Sequence, residues 1–153
     1  MSEQITLKRV DSNDTDFQKL VGLLDKDLND RYEESQAFFS QFNHLTPNYK
    51  AVVAYLGEEP VGCGAIKHYD EKTHELKRMF VKGEVRNLGL GFKIVHALEQ
   101  WAADMGVKTI ILETGIKQPE AIHLYRKCGF TIIPNFDQYI GVEESVCMQK
   151  HIL

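Results

Sequence analysis

The spacing of hydrophobic positions predicts two helices in the first third of the chain. In 17–32 apolar residues recur every three or four positions, as they do on one face of an α-helix. Several N-cap candidates precede this segment in 11–16. A second, shorter helix is predicted over 34–45, where phenylalanines occupy the apolar side. A short strand over 4–10 is expected before the first helix.

The middle of the chain carries strand patterns. Residues 49–69 contain two runs rich in β-branched and aromatic side chains, and the glycine and proline of 57–60 predict a turn between them. Residues 74–81 alternate polar with apolar positions, which predicts a third strand. The nearly continuous apolar run in 108–115 is typical of a buried central strand.

Two further helices and two further strands complete the pattern. A long helix is predicted to start after the third strand and to end at Gly106. Another is predicted over 118–129, with a proline in its first turn and a glycine as its C-cap. The last strands are predicted over 130–136 and 145–152. Hairpins followed by βαβ crossovers indicate an α/β domain of three layers, with 1–153 as a single unit.

Composition narrows the functional classes. The chain has 153 residues, of which 43% are hydrophobic and 26% charged, so it can bury one core. The formal net charge is -4 and no long basic run is present, which argues against a nucleic-acid partner. No apolar run is long enough to cross a membrane and the N-terminus lacks a hydrophobic signal core. We therefore expect a cytoplasmic protein with no membrane partner.

Cysteine usage argues against a disulfide framework and a zinc site. Cys63, Cys128 and Cys147 are odd in number and include no C-x-x-C pair. Reduced, buried thiols are expected, and no metal is predicted.

A glycine-containing segment before the long helix is the first candidate for chemistry. It consists of Arg86, Asn87, Leu88, Gly89, Leu90 and Gly91. Glycine lets a ligand approach the backbone closely, and free N–H groups at a helix N-terminus suit a phosphate or pyrophosphate. Two glycines at this spacing also occur in ordinary turns. The nucleoside-triphosphate loop G-x-x-x-x-G-K-[ST] is absent and the dinucleotide pattern G-x-G-x-x-G is incomplete, so a different phosphate-bearing cofactor is needed.

Two motifs in the second half of the chain occur together in one known family. Residues 86–91 match the pattern Q/R-x-x-G-x-G/A. Residues 118–130 match a pattern close to N-x-x-A-x-x-L-Y-x-x-x-G-F, except that Gln118 stands where asparagine is frequent. In this order and separation the motifs resemble those of the GNAT superfamily of acetyl-CoA-dependent N-acetyltransferases. The resemblance covers the chain well from residue 50 onward.

The resemblance implies a fold and a cosubstrate. The GNAT, or acyl-CoA N-acyltransferase, fold is an α/β fold whose mixed, mostly antiparallel central sheet has six to seven strands flanked by about four helices. Acetyl-CoA is the implied cosubstrate. By similarity it is bound by Met79, Phe80, Val81, Arg86, Asn87, Leu88, Gly89, Leu90, Gly91, Phe92, Gln118 and Tyr125. The amides of 87–92 would bind the pyrophosphate. The backbone of 79–81 would pair with the pantetheine arm, because this strand separates from 108–115 in the family.

The resemblance also assigns the proton transfers. The implied reaction is direct attack of a primary amine on acetyl-CoA in a ternary complex, with a backbone N–H of Met79 or Phe80 polarising the thioester carbonyl. Tyr125 occupies the position of the family's general acid, and a tyrosine with a reference pKa near 10 stays protonated at neutral pH. A tyrosine packed in the core is the structural alternative.

Two glutamates compete for the role of general base. Some family members carry the base at the position of Glu75, and others at that of Glu113 on the next strand. We favour Glu75, because period-two alternation places it on the same strand face as Met79 and Val81. A carboxylate bound to a neighbouring basic residue such as Lys77 is the structural alternative for each.

The acceptor amine is left open. The family usually binds it with the first two helices and with the segment between the last two strands. Those regions carry aromatic residues among acidic ones, which suits a cationic amine. The aromatic residues are Tyr32, Phe38, Phe39, Phe42, Phe136 and Tyr139. A small-molecule amine, a peptide N-terminus, a lysine side chain, a polyamine and an amino sugar all fit. His74, beside Glu75, is a candidate for the acceptor mouth.

Other interpretations stay open. A non-catalytic acyl-CoA sensor would keep the phosphate-binding turn without turnover, and a purely structural domain would bind no CoA. Cys63 or Cys128 could act as an acyl-carrying nucleophile, although neither has an evident histidine base in sequence. The family often pairs through its C-terminal strands, so a homodimer is a further implication.

Overall fold

The described part of the chain forms one sheet with helices on both faces. The computed structural model describes residues 4–31, 49–86 and 88–152. Asn87 and the predicted helix over 34–45, with its three phenylalanines, lie outside these residues.

Within the described residues the chain forms seven strands and three α-helices. The strands are β1 (Ile5–Asp11), β2 (Lys50–Leu56), β3 (Glu59–Asp70), β4 (Thr73–Val81), β5 (Thr109–Gly115), β6 (Thr131–Ile133) and β7 (Ser145–His151). The α-helices are α1 (Thr15–Arg31), α2 (Leu90–Asp104) and α3 (Pro119–Lys127). The predicted strands and helices of this part of the chain are confirmed. β6 is shorter than predicted, because Pro134 has no N–H to donate to a neighbouring strand.

The strand order is β1-β2-β3-β4-β5-β7-β6. Every neighbouring pair is antiparallel except β4 and β5, which are parallel and joined through α2. β7 lies between β5 and β6, so the connection through α3 passes over one strand. This order confirms a mixed, mostly antiparallel sheet.

The two faces of the sheet carry two separate hydrophobic clusters. On β2, Ala51 and Val53 face α1, whereas Val52 and Ala54 face α2, as alternation requires. The α1 face also buries Phe17 of that helix, and the α2 face receives apolar side chains from both α2 and α3. The predicted three-layer arrangement is therefore confirmed.

A β-bulge interrupts the alternation of β4. Ala65 pairs with Lys77 and Cys63 pairs with Phe80, so two β4 residues lie opposite Gly64 alone. One of them, Arg78, has a φ of 59°, in the left-handed region.

The bulge reverses which face of the sheet the following side chains contact. Leu76 packs in the cluster on the α2 face. Met79 and Val81 pack against that same cluster, and Phe80 packs against the opposite one. Glu75, adjacent to Leu76, therefore faces α1. The prediction that Glu75 shares a face with Met79 and Val81 is wrong, because the extra residue shifts the alternation.

Candidate active site

The site is built around a separation of the two parallel strands. β4 and β5 pair from Thr73 with Thr109 as far as Leu76 with Leu112, and the pairing ends there although both strands continue. In the described structure, the backbone of 77–81 thus has β3 on one side and no β5 partner on the other. Such an edge offers free backbone donors and acceptors to a ligand.

Two contacts fix the bulge at this opening. The Arg78 guanidinium donates to Asp25 Oδ1 of α1 at 2.8 Å. The Cys63 thiol donates to the Arg78 carbonyl at 3.3 Å from the neighbouring strand β3. Met79 is thereby held at the point where the strands diverge.

Two cavities adjoin this edge, and the larger of the two has a volume of about 640 Å³. Most of the predicted CoA-binding residues line it. They are Met79, Phe80, Val81, Arg86, Gly89, Gly91, Phe92, Gln118 and Tyr125. Leu90 is instead buried in the core, and the side chain of Leu88 is half exposed. Nothing in the described structure places either of these two leucines in the cavity wall.

Glycine is favoured at the two motif positions, Gly89 and Gly91, for different structural reasons. Gly89 is the N-cap of α2 with a φ of 73°, a conformation that favours glycine. A Cβ on Gly91 would lie 2.8 Å from Leu124 Cδ2, so Gly91 permits the close approach of α3. Arg86 donates through Nε to the Val81 carbonyl at 3.2 Å, which joins the turn to the end of β4.

A second, smaller cavity of about 80 Å³ lies on the α1 side of the opening. Its polar lining residues are Glu75, Lys77, Arg78, Glu113, Thr114, Gln118, Tyr125 and Tyr139. Leu24, Met79, Gln118 and Tyr125 line both cavities. A ligand in the larger cavity can therefore reach one in the smaller cavity beside these four residues.

The Glu113 carboxyl is positioned as a proton acceptor. Its Oε2 atom is buried and has no hydrogen-bond partner in the described structure. Burial raises the pKa of Glu113 to about 7, and the Glu75 carboxylate adds to this, whereas the Ser145 hydroxyl and the Lys77 ammonium oppose it. A carboxyl that titrates near neutrality can take a proton from an amine at physiological pH.

Glu75 is held differently. Its Oε2 lies 3.7 Å from Lys77 Nζ, and both side chains are buried. Burial raises the pKa of Glu75, against the opposing effects of Lys77 and Lys67. Glu75 thus has a buried counter-ion, whereas one oxygen of Glu113 has no partner.

The α3 helix supplies two polar groups to the junction of the cavities. Burial raises the pKa of Tyr125, so its hydroxyl keeps its proton at neutral pH. Gln118 precedes the helix, and its Oε1 accepts a hydrogen bond from the Gly115 N–H at 3.2 Å. This bond ties the amide of Gln118 to the end of β5.

Comparisons with known proteins agree with this geometry. Residues 17–130 match the model of the acetyltransferase (GNAT) family. The chain is 34% identical to an IAA acetyltransferase of Azospirillum brasilense over 86% of its own length and 88% of that protein. The chain belongs to the GNAT acetyltransferase family. Acetyltransferases of this family use acetyl-CoA as acyl donor, so this GNAT enzyme is an acetyl-CoA-dependent acyltransferase.

Solved structures extend the comparison to the whole fold. A Klebsiella pneumoniae protein assigned as an acyl-CoA N-acyltransferase is 31% identical, with a TM-score of 0.83 over 98% of this chain and 99% of that one. A Bacillus anthracis protein assigned as a streptothricin acetyltransferase was solved in complex with acetyl coenzyme A. It is 25% identical, with a TM-score of 0.60 over 69% of this chain and 64% of that one.

The cysteines of this GNAT enzyme are poor nucleophiles. All three are buried and unpaired. Burial raises the pKa of Cys63 to about 12 and that of Cys128 to about 11, so both thiols stay protonated at neutral pH. A direct transfer needs neither of them.

None of the histidines in the described ranges lines the small cavity. His74 contacts His68 edge to face at 5.7 Å and lines a separate groove with Trp101. Alternation places His74 on the face opposite that of Glu75, and it does not line the small cavity. A role for His74 at the acceptor mouth stays a prediction. His96 stacks on Phe92 on the outer surface of α2.

The sequence alone indicates for Lys77 only the role of a counter-ion for a glutamate. In the structure Lys77 lines the small cavity together with Glu75 and Glu113. Residues two positions apart on a strand face the same side of a sheet, so the spacing of Lys77 and Glu75 was the sequence signal for their shared location.

The described residues contain no group of three or more histidine, cysteine, aspartate or glutamate side chains that could hold a metal ion. No helix in 4–31, 49–86 or 88–152 is both long and apolar enough to cross a bilayer.

The raised pKa of Glu113 predicts a pH-dependent cost to stability. The unfolded chain ionises this carboxyl from about 4.5 and the folded protein from about 7, so ionisation favours unfolding as pH rises between these values. Replacing Glu113 by Gln removes that cost. We expect the gain in the free energy of unfolding to be about 2 kcal/mol larger at pH 8 than at pH 5. Denaturant unfolding at both pH values measures it.

Glu143→Gln is the matched control, because Glu143 is exposed. Its effect on the free energy of unfolding should be small at both pH values. A gain for Glu113→Gln that is equal at pH 5 and pH 8 would contradict the raised pKa.

Proposed function

We propose that this GNAT enzyme transfers the acetyl group of acetyl-CoA to a primary amine by direct attack in a ternary complex. The observation that carries the proposal is the meeting of two cavities at the β4–β5 opening, beside Tyr125 and Met79. The larger cavity has the size and the backbone edge for the donor, and the smaller one has a buried carboxylate for the amine.

The chain would bind the donor with backbone groups. The unpaired edge of 79–81 offers hydrogen bonds to the two amides of the pantetheine arm. The free N–H groups at the start of α2, after the Gly89 N-cap, suit the negative charge of the diphosphate. A backbone N–H at Met79 lies at the divergence and is suited to stabilise the oxyanion that forms on amine attack.

Two side chains would handle the protons. Glu113 takes the proton of the incoming ammonium, since its Oε2 is unpartnered and its pKa is about 7. The nitrogen lone pair then attacks the thioester carbon, and the C–S bond breaks. Tyr125, which burial keeps protonated at neutral pH, donates its proton to the departing thiolate. Glu75 is the weaker candidate for the base, because Lys77 already pairs with it.

An amine screen tests the function. Purified protein is incubated with acetyl-CoA and single amines, namely a peptide N-terminus, a lysine side chain, a polyamine, an amino sugar and streptothricin, the compound named for the Bacillus anthracis relative. Release of free CoA thiol above the amine-free rate, with the acetylated amine seen by mass spectrometry, is expected for at least one class.

CoA binding measured by calorimetry separates the alternatives. Tight binding with no turnover on any amine would favour a sensor module. Absence of binding would favour a structural domain.

Tyr125→Phe tests the general acid. Loss of the hydroxyl removes the proton donor for the thiolate, so kcat should fall by about 10²–10³-fold, whereas the KM for acetyl-CoA should change little. Tyr55→Phe is the control, because it removes a hydroxyl that donates to Asp16 at 2.7 Å, away from both cavities. An unchanged kcat for Tyr125→Phe would exclude the role.

The two glutamates are separated by the pH dependence of kcat at saturating substrates. Glu113→Gln should lower kcat about 10²-fold and abolish the loss of activity below pH 7, because the titrating base is gone. Glu75→Gln should keep such an acid limb. If the acid limb instead disappears only in Glu75→Gln, the two roles must be exchanged.

A further inference from the structure

Lys77 occupies a special place at the opening. Leu76 and Leu112 form the last pair between β4 and β5, so Lys77 and Glu113 are the first residues beyond it. Neighbours of paired residues in parallel strands lie on the same face of a sheet. Lys77 and Glu113 therefore face each other across the opening, on the α1 side.

The small cavity contains more buried charge than a stable core would carry. Two carboxylates, Glu75 and Glu113, line a space of about 80 Å³ together with the ammonium of Lys77 and the Arg78 side chain, whose guanidinium pairs with Asp25. Lys77 is 8% exposed, and its Nζ lies 3.7 Å from Glu75 Oε2. Without a cation, two neighbouring carboxylates in such a space would favour their protonated forms.

We propose that Lys77 is a positioning residue that keeps Glu113 ionised enough to accept the proton of the acceptor amine. This inference rests on the proposed role of Glu113 as general base. Lys77 contacts neither substrate in this role. Its positive charge acts electrostatically on the Glu113 carboxylate across the gap between β4 and β5.

The other groups around Glu113 do not replace Lys77. The Lys77 ammonium and the Ser145 hydroxyl lower the pKa of Glu113, and Ser145 carries no charge. Arg78 is held by Asp25 of α1. From β3, Lys67 lowers the pKa of Glu75.

The remaining titratable groups add no cation. Asp137, next to the small cavity, raises the pKa of Glu75. Tyr125 and Tyr139 have raised pKa values and stay neutral. Glu75 itself raises the pKa of Glu113. Among the described groups that affect Glu113, Lys77 is thus the one cation that favours its charged form.

The experiment compares kcat from pH 6 to pH 9.5, at saturating acetyl-CoA and amine, for Lys77→Met and Lys77→Arg. Without the cation the acid limb of Lys77→Met should move at least about one pH unit upward, so kcat falls at least about fivefold at pH 7 and recovers at pH 9. Lys77→Arg keeps the charge and should keep the limb near its wild-type position. Lys8→Met, an exposed lysine on β1, is the matched control.

A double variant controls for misfolding of Lys77→Met. Removing Lys77 alone leaves Glu75 buried without its partner, whereas removing both charges together is milder. The acid limb of Glu75→Gln/Lys77→Met is therefore compared with that of Glu75→Gln. The added Lys77→Met change should again move the limb upward, and circular dichroism checks that each variant is folded.

Two results would overturn the inference by different routes. If Glu113→Gln loses the acid limb but folded Lys77 variants keep it at the wild-type pH, or lose activity equally at all pH values, Lys77 does not act on the base. If Glu113→Gln keeps the wild-type limb, the assignment of Glu113 fails, and the inference about Lys77 fails with it.

Discussion

The parting of β4 and β5 is the constraint on which the rest of the structure depends. Two parallel strands in the middle of a sheet would normally satisfy each other's backbone groups along their full length. Here they pair as far as Leu76 and Leu112 and then diverge. The opening exposes the backbone of 77–81 between two cavities that share part of their lining. Such an edge offers backbone donors and acceptors to a ligand that carries amides.

The bulge at Arg78 determines which side chains face each side of the opening. Because one extra residue is inserted into β4, Glu75 and Lys77 face α1, whereas Met79 and Val81 face α2. The same strand therefore presents charged side chains to the small cavity and a backbone edge to the larger cavity. The left-handed conformation of Arg78 is energetically unfavourable for a residue with a side chain. The ion pair with Asp25 and the hydrogen bond from the Cys63 thiol offset this cost from both neighbouring elements.

Buried charge connects stability with function at this site. The unpartnered oxygen of Glu113 disfavours the ionised form and so costs stability at neutral pH. The same burial brings the pKa of this carboxyl close to the pH at which it would work. Lys77 and Glu75 form a pair that places opposite charges next to Glu113. The sum of these opposing effects decides how readily the carboxyl accepts a proton, and no single residue decides it.

The sequence by itself determined most of the fold and the donor site. Hydrophobic periodicity located the strands and helices of the described chain, because burial of one face requires a fixed period along each element. The two motifs located most of the residues around the larger cavity, because a turn next to a helix N-terminus is a local structure. The side chains of Leu88 and Leu90 were exceptions, since Leu88 is half exposed and Leu90 packs in the core.

Only the tertiary structure decided the geometry of the small cavity. Simple alternation placed Glu75 on the same face as Met79. The bulge that overturns this prediction depends on the pairing of β4 with β3. Cys63 of β3 contacts Arg78 of β4, and these two residues are 15 positions apart in the sequence. The electrostatic contrast between Glu75 and Glu113 likewise depends on burial and on Lys77, which lies on the same strand as Glu75 and on the strand next to that of Glu113. Such quantities follow from distances between segments that are remote in sequence. A pattern read along one chain contains periods and motifs, but it does not contain those distances.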